Sequence, residues 1–339
     1  MLNNLKNLCL LDGVSGNEGK VAEYIVNEIA PYAECYIDPL GNVIAHKKGA
    51  SSTKKRVLFD AHMDEVGLII TGIKDNGMLT FSCIGGINTE VLLAKRVKIG
   101  DIYGVICVKP IHMLSDDEKK KLPDKDSLLI DIGALSKDEA EKYVEIGDVA
   151  VCDSDYIEFG DNKIKAKAID DRLGCAILID IIKSDLPFDA WFSFTVQEEV
   201  GLRGAKTATF SVDPDFAIAI EATTACDIID TPENKSVCKL NEGAVVSFMD
   251  GSTLYEKQLF DAAISTANNI GKKIQVKRGT SGGNNAGAIH LAKSGVRTIS
   301  LSIPCRYLHS PECVIDKRDI ESVRDIAVGL FEQMADDRI

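Results

Sequence analysis

Phe192-Ser-Phe-Thr-Val-Gln-Glu-Glu-Val-Gly-Leu-Arg-Gly-Ala205 is the stretch from which the rest of the chain can be read. Trp191 to Val196 is an apolar run rich in aromatic and β-branched residues, the composition of a buried strand. It closes on two adjacent carboxylates, Glu198 and Glu199, followed by Gly201 and Gly204. Neighbouring side chains on an extended backbone point to opposite sides. Where a strand passes into a loop, two such carboxylates can instead converge on one site, one as a metal ligand and the other free as a general base. For a bare Glu-Glu pair a solvated acidic turn is the simpler explanation, so the weight must come from what surrounds it.

On both sides of this stretch helical and strand patterns alternate. Downstream, Phe216 to Glu221 and Arg297 to Ile303 read as strands, Leu254 to Asn269 and Lys317 to Met334 as amphipathic helices, and Ile274 to Lys277 as a short strand. A Gly-rich turn at Gly279 to Asn285 leads into a helix over Ala286 to Ala292, and Asp170-Asp-Arg-Leu-Gly-Cys opens a helix running to about Lys183. Upstream, Leu5 to Leu11 and Val21 to Ile29 have helical spacing, with Ser15 and Asn17 as candidate N-caps of the second helix. A hairpin over Glu34 to Ala45 follows, and Val57 to Phe59 is a strand whose end delivers His62 and Asp64. From about Gly67 to Lys163 the texture changes to short β-like runs separated by turns, with a highly charged, Pro-terminated surface loop at Ser115 to Lys125. The expected fold is α/β, a mixed sheet flanked by helices, formed by residues 1–66 and 164–339, with a small β domain inserted at 67–163.

A chain of 339 residues that is 45% hydrophobic and 27% charged can build a sizeable core. Its net charge of −13 argues against nucleic acid as a partner, because binding phosphates needs clustered Lys and Arg. No apolar run is long enough to span a bilayer and the N-terminus lacks a signal-peptide pattern, so no membrane partner and a cytoplasmic location are expected. The 10 cysteines are scattered and form no Cys-x-x-Cys, which fits reduced, mostly buried thiols. Cys305 lies four residues before His309, which leaves a thiol-enzyme reading open.

Five places put metal-type ligands just past predicted strands or at a helix start: His62 with Asp64, Asp170-Asp171, Glu198-Glu199, Glu221, and His309. Each alone has an ordinary explanation. Asp170 or Asp171 can cap a helix, Glu221 can sit in a salt bridge, and His309 can be a loop residue. Together they place two imidazoles and several carboxylates where an α/β sheet gathers its site. Imidazole with carboxylate suits zinc, cobalt or manganese. A two-metal hydrolase needs a bridging carboxylate, further ligands to each ion and a free base. This set fills that scheme, and Asp64 is placed to hold the second ring nitrogen of His62.

Four motifs occur in order along the chain: Ala61-His-Met-Asp-Glu-Val-Gly67, Ala168-Ile-Asp-Asp-Arg-Leu-Gly174, Val196-Gln-Glu-Glu-Val-Gly-Leu-Arg-Gly-Ala205 and Ile303-Pro-Cys-Arg-Tyr-Leu-His-Ser-Pro311. With them the chain resembles the tetrahedral aminopeptidases, metallopeptidase family 42, some of whose members carry an endoglucanase label. The resemblance implies that His62, Asp170 and Glu221 hold one ion and Asp170, Glu199 and His309 the other, with Asp170 bridging. It further implies Glu198 as the catalytic base, Asp64 as the residue orienting His62, and a cis Asp170–Asp171 peptide bond. The ions would be two divalent cations per subunit, zinc or cobalt, with manganese also compatible. The inserted domain would be a PDZ-like β-barrel that drives dimers and then a twelve-subunit shell, and peptides would be the substrates. Two departures stand out. Glu221 replaces a usual Asp, which keeps Asp227 as an alternative ligand, and Asn284-Asn285 replaces a usual Thr-Asp.

These readings give a di-metal aminopeptidase first. A related amide hydrolase (deacylase or carboxypeptidase) and a non-catalytic, metal-stabilised assembly subunit are the alternatives. A glycosidase fits less well, because the two carboxylates are adjacent in sequence and not placed across a sugar.

Overall fold

A computed structural model describes residues 1–339. An eight-stranded mixed sheet is the frame. Its four central strands, in the order Ala190–Thr195, Val57–His62, Phe216–Thr224 and Arg297–Cys305, are mutually parallel. The Glu34–Ile37/Val43–Lys47 hairpin extends one side, and Ala244–Val246 with Ile274–Val276 extends the other. Parallel strands end together, so every loop that leaves their C-terminal ends opens on one edge of the sheet.

Alternation along the strands decides what each face packs against. Val57, Phe59 and Ala61 belong to a core of 55 buried residues shared with the helices Ile169–Lys183 and Lys317–Ala335. Leu58 and Ala217 point the other way, into a smaller cluster with Ala205 and Ala208 of the helix Arg203–Val212 and with Ile289. Helices thus cover both faces, and the apolar positions of each strand are set by that double cover.

Between Gly67 and Cys152 six short strands close into an antiparallel barrel around its own core of 15 buried residues, among them Leu68, Phe81, Val97 and Ile130. The next strand, Ile157–Phe159, pairs outside the barrel, in a three-stranded sheet with Lys163–Ala166 and Cys313–Asp316. Ser115 to Lys125 forms no strand; it contains the 3-10 turn Glu118–Lys120 and ends where a second, Lys125–Ser127, begins.

The N-terminal segment departs from the sequence expectation. The helix Gly19–Ile29 has Glu18 at its N-cap position and receives no side-chain cap. The Ser15 hydroxyl donates to Asp64 Oδ2 at 2.6 Å, so this serine serves a strand end 49 residues away and not its own helix. The segment is fastened by Arg172, which is fully buried. Its guanidinium donates to the carbonyls of Leu8, Leu11, Gly13 and Met63 and to Glu65. A charge at that depth is tolerated because its donors are matched by acceptors.

Candidate functional site

Each sequence-predicted residue reaches the same edge by a different element. His62 is the last residue of its strand, in register with Thr195 of the neighbour that leads to Glu198 and Glu199. Glu221 lies inside the strand Phe216–Thr224, which runs three residues further than its sequence pattern indicates. Asp170 stands at the start of the helix Ile169–Lys183, and His309 sits in the loop between Cys305 and Cys313 with a positive φ of 57°. The Asp170–Asp171 peptide bond is cis. The turn behind Glu198-Glu199 requires glycine twice. Gly201 has φ of 121°, and a Cβ on Gly204 would lie 2.3 Å from Asn42 Oδ1 and 2.4 Å from the Val196 carbonyl oxygen.

Asp170 is the centre of the arrangement. Its Oδ1 lies 3.3 Å from His62 Nε2 and its Oδ2 3.3 Å from His309 Nε2. Glu221 Oε2 approaches His62 Nε2 at 3.7 Å, and Glu199 Oε1 approaches His309 Nε2 at 3.4 Å. The far ring nitrogens fix the tautomers. His309 Nδ1–H donates to the Gly86 carbonyl at 2.9 Å, a residue of the barrel segment. His62 Nδ1–H faces the backbone carbonyl of Asp64 at 3.1 Å and its carboxylate Oδ1 at 3.4 Å. Each Nε2 is therefore the nitrogen offered to the carboxylates.

Nitrogen lone pairs facing carboxylate oxygens need a cation between them. Protons supply one answer. Burial opposes charging His62, but the carboxylates of Asp170 and Asp64 outweigh it and raise its pKa well above the ordinary value. His309 is pushed up to about 10 against its own burial by Asp170 and Glu199. Divalent ions supply the other answer, and two observations fit it. Asp170 Oδ1 is buried with no hydrogen-bond partner, and the donor set is imidazole plus carboxylate throughout. One ligand atom each from His62, Asp170 and Glu199 lies within 4.8 Å of the others, as does a set from His62, Asp171 and Glu221. Asp171 is the weaker donor of the two aspartates. Its oxygens already accept the backbone N–H groups of Gly174 at 2.9 Å and His62 at 3.3 Å, so this residue carries the helix-capping role.

Glu198 and Glu199 differ in what they face. Both line an open cavity of about 630 Å3, but Glu199 points at His309 whereas Glu198 pairs with neither imidazole. Burial, helped by the negative Asp170, raises the Glu198 carboxyl to about 7. The backbone N–H groups of residues 198 and 199 donate to Asp64 Oδ1 at 2.9 Å and Oδ2 at 3.1 Å. Asp64 thus holds the turn as well as facing His62, a link spanning 134 residues that no local pattern reveals. Glu18 adds to it, accepting the Gln197 N–H at 3.0 Å.

The alternative ligand Asp227 is engaged elsewhere. Arg306 donates to it twice, at 2.6 and 2.9 Å, and Leu240 N–H once, at 3.0 Å. Glu221 is therefore the acid at this end of the site. The thiol reading fails too, because Cys305 is fully buried and contact with Cys313 together with burial raises its pKa well above the usual value. Of the remaining histidines, His46 stacks on Trp191, His112 lies exposed in a 3-10 turn, and His290 Nδ1–H donates to the Ala286 carbonyl. Asn284 lines the cavity and donates to Ser300 Oγ at 3.2 Å and to Tyr255 Oη at 3.3 Å, while Asn285 is fully buried behind it.

Comparison with known proteins places this geometry in a family. The profile described as M42 glutamyl aminopeptidase matches residues 41–326. The chain is 39% identical over 334 residues to a protein of Acetivibrio thermocellus provisionally named an aminopeptidase, covering 97% of each. It is 33% identical to the lysyl aminopeptidase of Pyrococcus furiosus, covering 97% of this chain and 96% of that one. Among solved structures, the TET1 peptidase of Pyrococcus horikoshii, described as able to assemble into a tetrahedron or a large octahedral shell, superposes with a TM-score of 0.85 at 34% identity and covers 99% of both chains.

Proposed function

The chain belongs to the M42 glutamyl aminopeptidase family, and from that premise we propose that it is a di-metal aminopeptidase in which Asp170 bridges the two ions. Its family and relatives are aminopeptidases, hydrolases acting on peptides. The observation that carries the two-ion reading is the single carboxylate whose two oxygens each face a different imidazole at 3.3 Å. His62, Asp170 and Glu221 would hold one ion and Asp170, Glu199 and His309 the other. Zinc or cobalt suits these ligands best, and manganese is compatible. Bound there, two divalent ions supply Lewis acidity for the scissile carbonyl and lower the pKa of an attacking water.

The chain's own residues do the rest. Glu198, paired with neither imidazole and lining the cavity, takes the proton of the attacking water and delivers it to the leaving amine. Asp64 fixes the tautomer of His62 and, through the 198 and 199 N–H groups, the position of the base. The substrates are peptides with a free N-terminus.

Lys277 is the one lysine or arginine among the residues lining the cavity, and its ammonium donates to the Ser281 carbonyl at 3.2 Å. A cation there favours an acidic first residue and repels a basic one. On a panel of aminoacyl p-nitroanilides at matched zinc or cobalt loading, glutamyl substrate is expected to exceed lysyl substrate in kcat/KM by about tenfold, roughly 1.4 kcal/mol. Lys277→Met is expected to erase that ratio. The same panel tests the activity: cleavage of N-acetylated peptides at rates equal to free ones, or release of C-terminal residues, would contradict an aminopeptidase.

Relatives described as a dodecamer and as a tetrahedral or octahedral shell support a homo-oligomer, which we propose is built on dimers into twelve subunits with the barrel domain as the assembly element. No helix is long and apolar enough to cross a membrane, and all ten cysteines stand free, which supports a cytoplasmic site of action.

A further inference from the structure

Behind the ligands lies a carboxylate that the proposed chemistry does not use. Asp60 is fully buried on the His62 strand, two residues before the ligand, on the face turned towards the helix Ala286–Ile289. Such a group is costly unless its oxygens are matched. The Ser193 hydroxyl donates to Oδ1 at 2.5 Å, and the Asn285 side-chain amide donates to Oδ2 at 2.8 Å. The second amide hydrogen of Asn285 goes to Thr195 Oγ1 at 2.7 Å.

A carboxylate only accepts, so Asp60 dictates which end of the Asn285 amide faces the sheet. The amide oxygen is left buried without a partner, which shows that this orientation is imposed by the acid and not chosen by the loop. Asn285 in turn opens the helix Ala286–Ile289, and its backbone N–H donates to Glu221 Oε1 at 3.3 Å. With Oε1 occupied, Oε2 is the oxygen turned to His62 Nε2 at 3.7 Å. A glutamate has one more rotatable bond than an aspartate, and this donor removes the freedom that the bond would add.

We infer that Asp60 is a positioning residue that sets the metal-binding oxygen of Glu221 through Asn285. The inference rests on the reading of Glu221 as a metal ligand. It makes the path Asp60–Asn285–Glu221 a single unit: breaking it at either of the first two residues releases the same oxygen.

The test is zinc titration of the full-length protein against a competing chromogenic chelator, with kcat and KM measured alongside. Asp60→Ala and Asn285→Ala are each expected to weaken one of the two zinc sites by about 10–100-fold and to lower kcat, leaving the other site and KM near wild type. Asp60→Asn keeps an oxygen for Asn285 and an amide for the Ser193 hydroxyl, so it is expected to bind zinc within about twofold of wild type. The Asp60→Ala/Asn285→Ala double variant is expected to lose no more than the worse single one. Should Asp60→Ala fail to fold, Asn285→Ala, which leaves the Ser193 bond to Asp60 in place, carries the test with Asp60→Asn. Wild-type zinc affinity at both sites in Asn285→Ala, or losses that multiply in the double variant, would overturn the inference. A wild-type protein that binds no zinc would instead remove the ligand reading of Glu221, which the wild-type titration alone reveals.

Discussion

Glu198→Gln is expected to bind two metal ions with wild-type affinity and to lose about 10²–10⁴-fold in kcat. The substitution keeps the size and shape of the side chain and removes its ability to take and return a proton. Nothing in the ligand arrangement depends on that carboxyl, since Glu221 faces His62 and Glu199 faces His309 while Glu198 pairs with neither imidazole. The turn itself is held by the backbone N–H groups of 198 and 199 on Asp64, which the substitution leaves alone. Metal content by mass spectrometry and steady-state kinetics on one aminoacyl p-nitroanilide check the two halves separately. Near-normal turnover would reject Glu198 as the base, and loss of metal would make it a ligand instead.

The second large effect falls on the bridging position. Asp170→Asn leaves one oxygen and one amide nitrogen where two oxygens stood, so a lone pair can face His62 or His309 but not both. Whichever centre meets the N–H group loses a ligand and gains a donor aimed at its ion. Stoichiometry is expected to fall from two ions per chain to one or none at micromolar zinc. The affinity loss should exceed the 10–100-fold that follows when only an outer hydrogen-bond partner is removed, with activity falling in parallel. Asp171→Asn provides the contrast. Its oxygens serve the Gly174 and His62 N–H groups, so its effect should appear in thermal stability while two ions still bind. Two ions retained in Asp170→Asn would reject the bridge.

How much of this is legible in the sequence follows from the range of the interactions. The fold class reads well because apolar runs and helical spacing are local, and the motifs fall where strands end. His62, Glu199, Glu221 and His309 gather at one sheet edge because the strands that carry or precede them are parallel, whereas Asp170 arrives from a strand of the separate antiparallel sheet. The chain conceals what depends on partners far away in sequence. Ser15 looks like a helix cap because a serine precedes a helical pattern, yet it serves Asp64. Glu221 and Asp227 are both acids at or just past a strand pattern, and only Arg306, 79 residues on, separates their roles. Asp60 reads as one more residue of a buried strand, and its partner Asn285 is 225 residues away. Asn285 is visible as a departure from the usual family pattern, but its function is not, because the carboxylate it answers lies on another strand.

The proposed chemistry requires one aspartate to join two cations. Crystals grown with zinc and measured on both sides of the zinc absorption edge would place the ions directly. Two anomalous peaks about 3.5–4 Å apart are expected, one touched by His62, Asp170 and Glu221 and the other by Asp170, Glu199 and His309. A single peak, or two peaks with Asp170 bound to only one of them, would contradict it.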